Sequence, residues 1–84
     1  MKLAWMLQKL FDDAGGICPY SGRKLTLGVD AEIDHREPRS KGGSDFIENL
    51  QWVHKVVNQM KYNYSEEDFL AVVAEIYHFK HGSL

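Results

Sequence analysis

A ten-residue stretch, Arg36 to Asp45, cannot form a regular helix or strand, and it constrains the fold more than any other segment. Pro38 has no backbone N–H to donate, and the pair Gly42-Gly43 favours a turn over a continued element. Most connections between elements have about 4–6 residues, and longer irregular loops often carry function. We therefore expect a functional loop between two regular elements.

Short strands are predicted on both sides of this loop. Residues 31–35 (AEIDH) alternate in polarity, which is typical of a strand with one buried face. A second short strand is expected around Leu50–Trp52. Residues 17–30 contain Pro19 and two glycines, so we expect turns and a loose hairpin before the first strand.

Two helices are predicted around these strands from the spacing of apolar residues. The first covers residues 2–13 and stops before Gly15 and Gly16, which favour a helix C-terminus. The second follows the second strand, with a predicted buried stripe of Val53, Val56, Val57 and Met60. Its opposite, polar face carries His54, Asn58 and Lys61.

A third helix is predicted over residues 65–80. Ser65 fits the N-cap position, and the acidic residues after it suit the positive end of the helix dipole. Its broad apolar face comprises Phe69, Val72, Val73, Ile76 and Tyr77. The order helix, strand, loop, strand, helix, helix predicts one small α+β domain over residues 1–84, with a two-stranded antiparallel element flanked by helices and a central motif at 31–62.

Composition restricts the class of protein. A chain of 84 residues buries only about 60% of its unfolded surface, so it forms one modest core. No apolar run reaches the ~20 residues that cross a bilayer, so we expect no membrane contact and a cytoplasmic location. The single cysteine, Cys18, excludes an internal disulfide and fits a reducing compartment. The net charge of −2 argues against strong non-specific binding to polyanions.

One group of residues carries recognisable chemistry. Hydrolysis of a phosphodiester needs a base that deprotonates water and positive charge against the transition state, which a divalent metal can supply. Histidine suits the base because its pKa lies near neutrality. Carboxylate and amide oxygens suit Mg²⁺ or Mn²⁺. Asp34, His35 and Asn58 supply these parts.

The string EIDHREPRSKGGSDFIENLQWVHKVVNQMK, residues 32–61, resembles the HNH endonuclease family, also called the ββα-metal fold. It contains an Asp-His pair, then Pro-x-Ser-x-Gly-Gly, then Asn-Leu, then a helix that ends in Asn-x-x-Lys. The flanking CPYSG at 18–22 extends the likeness. The resemblance implies a metal-dependent DNA endonuclease that nicks one strand per active site with one Mg²⁺ or Mn²⁺.

The resemblance also implies roles for individual residues. His35 matches the histidine that activates water, and Asp34 matches the metal-binding acid before it. Asn58 takes the last position of the motif, a metal ligand. Asn49 matches the middle asparagine, which bonds across the loop and orients the catalytic histidine. Lys61 matches a recurrent lysine that contacts phosphate.

Three loop cations, Arg36, Arg39 and Lys41, are expected to contact DNA phosphate beside such a site. His54 either borders the site or is a surface histidine, and His78 and His81 suit the end of a helix dipole.

The chain departs from the family at the positions of a structural zinc. Many members bind zinc through two Cys-x-x-Cys pairs, whereas this chain has Cys18 with Ser21 and His54 with Val57. A closed zinc site needs four nitrogen or sulfur ligands, so no structural zinc is expected. Cys18 is then expected to be a small buried apolar residue.

Two other readings stay open from the sequence. A non-catalytic DNA-binding module could keep the fold, although such a module needs neither a base nor metal ligands. The chain could also be a nuclease subunit of a larger phage or mobile-element assembly, which leaves a protein partner or a homodimer open.

Overall fold

The computed structural model describes residues 2–82 and confirms the predicted small α+β fold. Its elements are α1 (Lys2–Asp13), β1 (Ala31–His35), β2 (Leu50–His54), α2 (Lys55–Lys61) and α3 (Glu66–His81). The two strands pair antiparallel, with Ala31 opposite His54 and His35 opposite Leu50. The irregular stretch between the strands contains two short 3-10 turns, Arg39–Lys41 and Ile47–Asn49.

The core lies where the sheet meets α2 and the start of α3. Its buried side chains are Cys18, Leu25, Val53, Val57 and Phe69. Helix α1 closes another side of the sheet, where the rings of Phe11 and Trp52 meet edge to face with centroids 5.8 Å apart. The Trp52 indole also donates a hydrogen bond of 2.8 Å to the carbonyl of Leu7, which fixes α1 against β2.

Strand β2 is longer than its sequence predicts, so the predicted start of the second helix was wrong. Val53 pairs with Glu32 across the sheet and is fully buried there. His54 is the N-cap of α2, where its Nδ1 accepts the backbone N–H of Val56. Val53 and His54 therefore form part of the strand because they pair with β1, although their spacing from later apolar residues fits a helix.

The predicted faces of α2 also need correction. Val57 is buried as expected, but Val56 and Met60 are exposed. Lys61, predicted on the polar face, is only 1% exposed. The physical reason is that α2 has seven residues and turns its far end toward the end of β1, where Lys61 finds oxygen acceptors.

Helix α3 begins as predicted, with the Ser65 hydroxyl accepting the backbone N–H of Asp68. Only Phe69 of its apolar face is buried; the exposed members are Val72, Val73, Ile76 and Tyr77. The helix therefore runs past the core. No helix within the described residues has the length and apolar character needed to span a membrane.

Candidate active site

An open cleft of about 450 Å³ lies at the end of β1, between the loop and α2. Asp34, His35 and Asn58 all line it, and Arg39 and Ser40 contribute from the loop. Adjacent residues on a strand point to opposite faces, yet Asp34 and His35 both line the cleft because they are the last two residues of β1. The fold thus places the three residues that the sequence singles out around one cleft.

Asp34 is a buried carboxylate with two protein partners. Its side chain is 4% exposed, and the Lys61 ammonium donates to Oδ1 at 3.1 Å. Gln51, its cross-strand neighbour, donates from Nε2 to Oδ2 at 2.9 Å. A buried charge is tolerated when it is paired and hydrogen-bonded, and these two contacts fix the Asp34 side chain at the cleft.

Lys61 joins the end of α2 to the end of β1. Besides Asp34, its ammonium donates to the carbonyl oxygens of His35 at 3.0 Å and Arg36 at 3.4 Å. Three oxygen partners use all three donors of an ammonium group. The expected phosphate contact therefore does not match this structure, in which Lys61 is buried and positions Asp34 and His35.

Gln51 and Tyr20 continue the hydrogen bonds of Asp34 toward α3. Neither residue was identified from the sequence. Gln51 Nε2 also donates to the Tyr20 hydroxyl at 2.7 Å, and that hydroxyl donates to Glu66 Oε1 at 2.8 Å. Burial, and then the bond to Glu66, raise the pKa of the Tyr20 phenol, which keeps it protonated as a donor. The chain of bonds ties the first turn of α3 to Asp34.

Asp45 is the group that contacts the imidazole of His35. The Asp45 Oδ1 lies 2.8 Å from His35 Nε2 and accepts from Arg39 Nε at the same distance. These two hydrogen bonds lower the pKa of the Asp45 carboxyl, and the bond with His35 has the larger effect. An ionised carboxylate can only accept, so Nε2 carries the proton and Nδ1 of a neutral imidazole keeps its lone pair.

Asn49 closes the loop with three hydrogen bonds. Its Oδ1 accepts the backbone N–H of Glu37, and its Nδ2 donates to the carbonyl oxygens of Glu37 and Ser44 at 3.0 and 2.7 Å. Among the hydrogen bonds of the described residues, none joins Asn49 to His35. Because Ser44 precedes Asp45, Asn49 holds the part of the loop that carries Asp45.

The glycine pair gives the loop its shape. Gly42 has a φ of 88°, a left-handed conformation that strains other residues. Gly43 lies against the backbone on the other side of the loop, and its N–H donates to the Pro38 carbonyl at 2.9 Å. A Cβ at Gly43 would overlap the carbonyl oxygen of Glu37. Both glycines therefore bring Asp45 back toward His35.

The oxygens around the cleft fit a hard divalent cation. Asn58 donates through Nδ2 to Glu32 Oε1 at 2.8 Å, so its amide oxygen is the atom that would act as a ligand beside the Asp34 carboxylate. Within residues 2–82, no cluster of three or more His, Cys, Asp or Glu side chains could hold a metal. Magnesium commonly binds one or two protein oxygens and takes the rest from phosphate and water, so Asp34 and Asn58 suit such a site.

The predicted phosphate-binding cations have carboxylate partners within the protein. Arg36 pairs with Glu66 at 2.9 Å, and Arg39 pairs with Asp45. Lys41 lies 3.6 Å from a carboxylate oxygen of Asp68. Of these cations, Arg39 is the one that lines the cleft.

The four positions at which the resemblance implies a zinc site in other family members make other contacts in this chain. Cys18 is buried in the core, as expected, and Val57 packs beside it. His54 caps α2 and its Nε2 lies 3.6 Å from Asp30; it is not among the residues that line the cleft. Ser21 accepts the backbone N–H of Arg23 in a turn. The absence of structural zinc stays a prediction.

The geometry and the sequence comparison point the same way. No curated protein matches the chain. A family model described as HNH endonuclease matches residues 18–66, more than half of the chain, and this segment contains β1, the loop, β2, α2 and the cleft. The chain therefore belongs to the HNH endonuclease family.

Proposed function

We propose that the protein is a divalent-metal-dependent endonuclease that hydrolyses one phosphodiester bond of DNA per active site. The observation that supports this most is the set around the cleft: a histidine fixed by a carboxylate, beside a buried carboxylate and an amide. A module that only binds DNA has no need of this combination.

His35 is the proposed general base. With Nε2 donating to Asp45, Nδ1 takes a proton from a water molecule, and the water oxygen attacks phosphorus. The bond from phosphorus to the leaving ester oxygen breaks, and that oxygen gains a proton from solvent. Asp34 and Asn58 are the proposed holders of Mg²⁺ or Mn²⁺, which would stabilise the negative charge of the transition state and the leaving oxygen.

Arg39 is the proposed phosphate contact. It lines the cleft and is well exposed, so it can exchange Asp45 for a phosphate oxygen when DNA arrives. Arg36 and Lys41 are proposed to lie along the DNA backbone near the cleft. The overall charge of −2 gives little non-specific attraction, so DNA binding depends on these local cations and the metal.

The test is the conversion of supercoiled plasmid to nicked circles in the presence of each divalent cation. His35→Ala should slow nicking about 10²–10⁴-fold, the usual cost of losing a general base. His78→Ala is the matched control, because His78 is exposed on α3 outside the cleft. EDTA should stop nicking without lowering the melting temperature, since no structural zinc is proposed.

Two results would contradict the proposal. Nicking by His35→Ala at the wild-type rate would remove His35 from the mechanism. DNA binding by the wild type without cleavage, under every divalent cation, would favour the non-catalytic module.

A further inference from the structure

The apolar face of α3 continues well beyond the core. The described chain has a radius of gyration of 14.0 Å and a longest extent of 48 Å, whereas a compact chain of this length has a radius of gyration of about 12 Å. Phe69 anchors the start of α3 in the core, and the later apolar residues lie in solvent. Tyr77 is 60% exposed and Ile76 is 57% exposed. The second half of α3 is thus an arm with an uncovered apolar face.

The exposed residues follow the spacing of a helix that packs on another helix. Leu70, Val73 and Tyr77 are three and then four residues apart, which places them along one seam of α3. At the base of this seam, an apolar groove of about 260 Å³ separates α3 from α2. Leu70 and Val73 form one wall of the groove, and Val56 and Met60 form the other.

The charges on α3 favour one orientation of a partner helix. Its first turn carries Glu66, Glu67 and Asp68, and its last turn carries His78, Lys80 and His81. Glu66 and Asp68 already pair with Arg36 and Lys41, so among the described residues Glu67 is the first-turn acid available to a partner. A second α3 that runs antiparallel brings each acidic end against a basic end. The centre of such a pair lies between Val73 and Ala74, so Leu70 of one copy faces Tyr77 of the other across the groove.

We propose that a second copy of this chain packs antiparallel on the seam of α3, with Tyr77 of each copy at the groove of the other. The dimer does not depend on the proposed nuclease activity.

Sedimentation velocity over a wide concentration range tests the dimer. The wild-type chain should convert from monomer to dimer as concentration rises. Tyr77→Glu should weaken the dimer about 100-fold or more, because one substitution changes both copies of a two-fold interface. Ala71→Glu is the matched control, since Ala71 is an exposed residue on the opposite side of α3 from the seam. Circular dichroism should show both variants folded.

The orientation is tested separately by cross-linking. In a mixture of Glu67→Cys and His81→Cys chains, oxidation should join the two variants to each other in preference to like chains; native Cys18 is buried. A monomer at every wild-type concentration overturns the proposal and leaves another protein as the occupant of the seam. A dimer unaffected by Tyr77→Glu, or cross-linking of like chains only, overturns it as well.

Discussion

His35 and Asp45, ten residues apart in the chain, are joined by a contact of 2.8 Å between Nε2 and Oδ1. The loop between them returns the carboxylate to the strand end that carries the imidazole. Asn49, the residue before β2, holds that loop closed. The histidine of this site is therefore oriented by a side chain of its own loop.

Asp45→Asn is expected to slow plasmid nicking about 10–100-fold, the usual cost of removing the carboxylate partner of a functional histidine. The amide can donate to Nε2, which would move the imidazole proton to Nδ1. Nitrogen-15 NMR of the His35 ring should show this change of tautomer, which a purely structural defect would not produce. Asp45→Glu should keep part of the activity. Unchanged rate and tautomer in Asp45→Asn would exclude the positioning role.

The lowered pKa of Asp45 predicts a pH dependence of stability. A carboxyl whose pKa is lower in the folded state stabilises the fold above its unfolded pKa, about 3.9 for Asp, and loses this contribution as pH falls through the folded value. The melting temperature of wild type should therefore exceed that of Asp45→Asn near neutral pH, and the difference should disappear in strong acid. A difference that grows on acidification would contradict the assignment.

Local sequence signals predicted some elements well. The alternation in AEIDH gave the bounds of β1, and Gly15 and Gly16 follow α1 as expected. The start of α2 could not be predicted from the local sequence, because Val53 fits the apolar face of a helix and a buried strand equally well. Pairing with Glu32 decides between them.

The site was predictable only in part. The motif recognised in the sequence predicts Asp34, His35 and Asn58 as site residues, and these residues line one cleft. The burial of Lys61 depends on where α2 ends relative to Asp34, which no local pattern encodes. Asp45 follows a Gly-Gly-Ser turn, where an aspartate is an ordinary loop residue. Only the closed loop reveals its contact with His35.

Gly43→Ala should distort the loop and reduce nicking sharply while the helical circular dichroism signal is retained. The added Cβ would collide with backbone at Glu37, and the backbone cannot give way as a flexible side chain can. Gly42→Ala is the control, because its Cβ meets open space and costs only left-handed strain of about 1–2 kcal/mol. Equal activity in both variants would mean that the loop tolerates the shift.

Asp34→Asn and Asn58→Ala are expected to weaken the binding of Mg²⁺ or Mn²⁺ and to be partly rescued by raised Mn²⁺. Asparagine is chosen at position 34 because it fills the same space and can still accept from Lys61. Calorimetric titration with Mn²⁺ measures the affinity directly, with Glu67→Gln as a control at an exposed acid on α3. Metal affinity equal to wild type in both variants would remove these residues as ligands.

Lys61→Met should lower the free energy of unfolding by about 3–5 kcal/mol, because it leaves the Asp34 carboxylate buried without its cation. Urea denaturation measures this loss. The double variant Lys61→Met with Asp34→Leu should recover most of the stability, since apolar residues can replace a buried ion pair. A small loss in Lys61→Met would mean that solvent reaches the pair.

The salt dependence of DNA binding by Lys61 variants distinguishes a structural role of this lysine from a contact with DNA phosphate. The salt dependence of DNA affinity reports the number of phosphate contacts, and removing one contact lowers the slope by about one. Arg39→Gln should lower that slope, because Arg39 is exposed at the cleft. Lys61→Met, assayed where it remains folded, should leave the slope unchanged because its ammonium is already bound to three protein oxygens. If Lys61→Met lowers the salt dependence of DNA affinity, then Lys61 contacts phosphate after all. Its ion pair with Asp34 would then have to break when DNA binds.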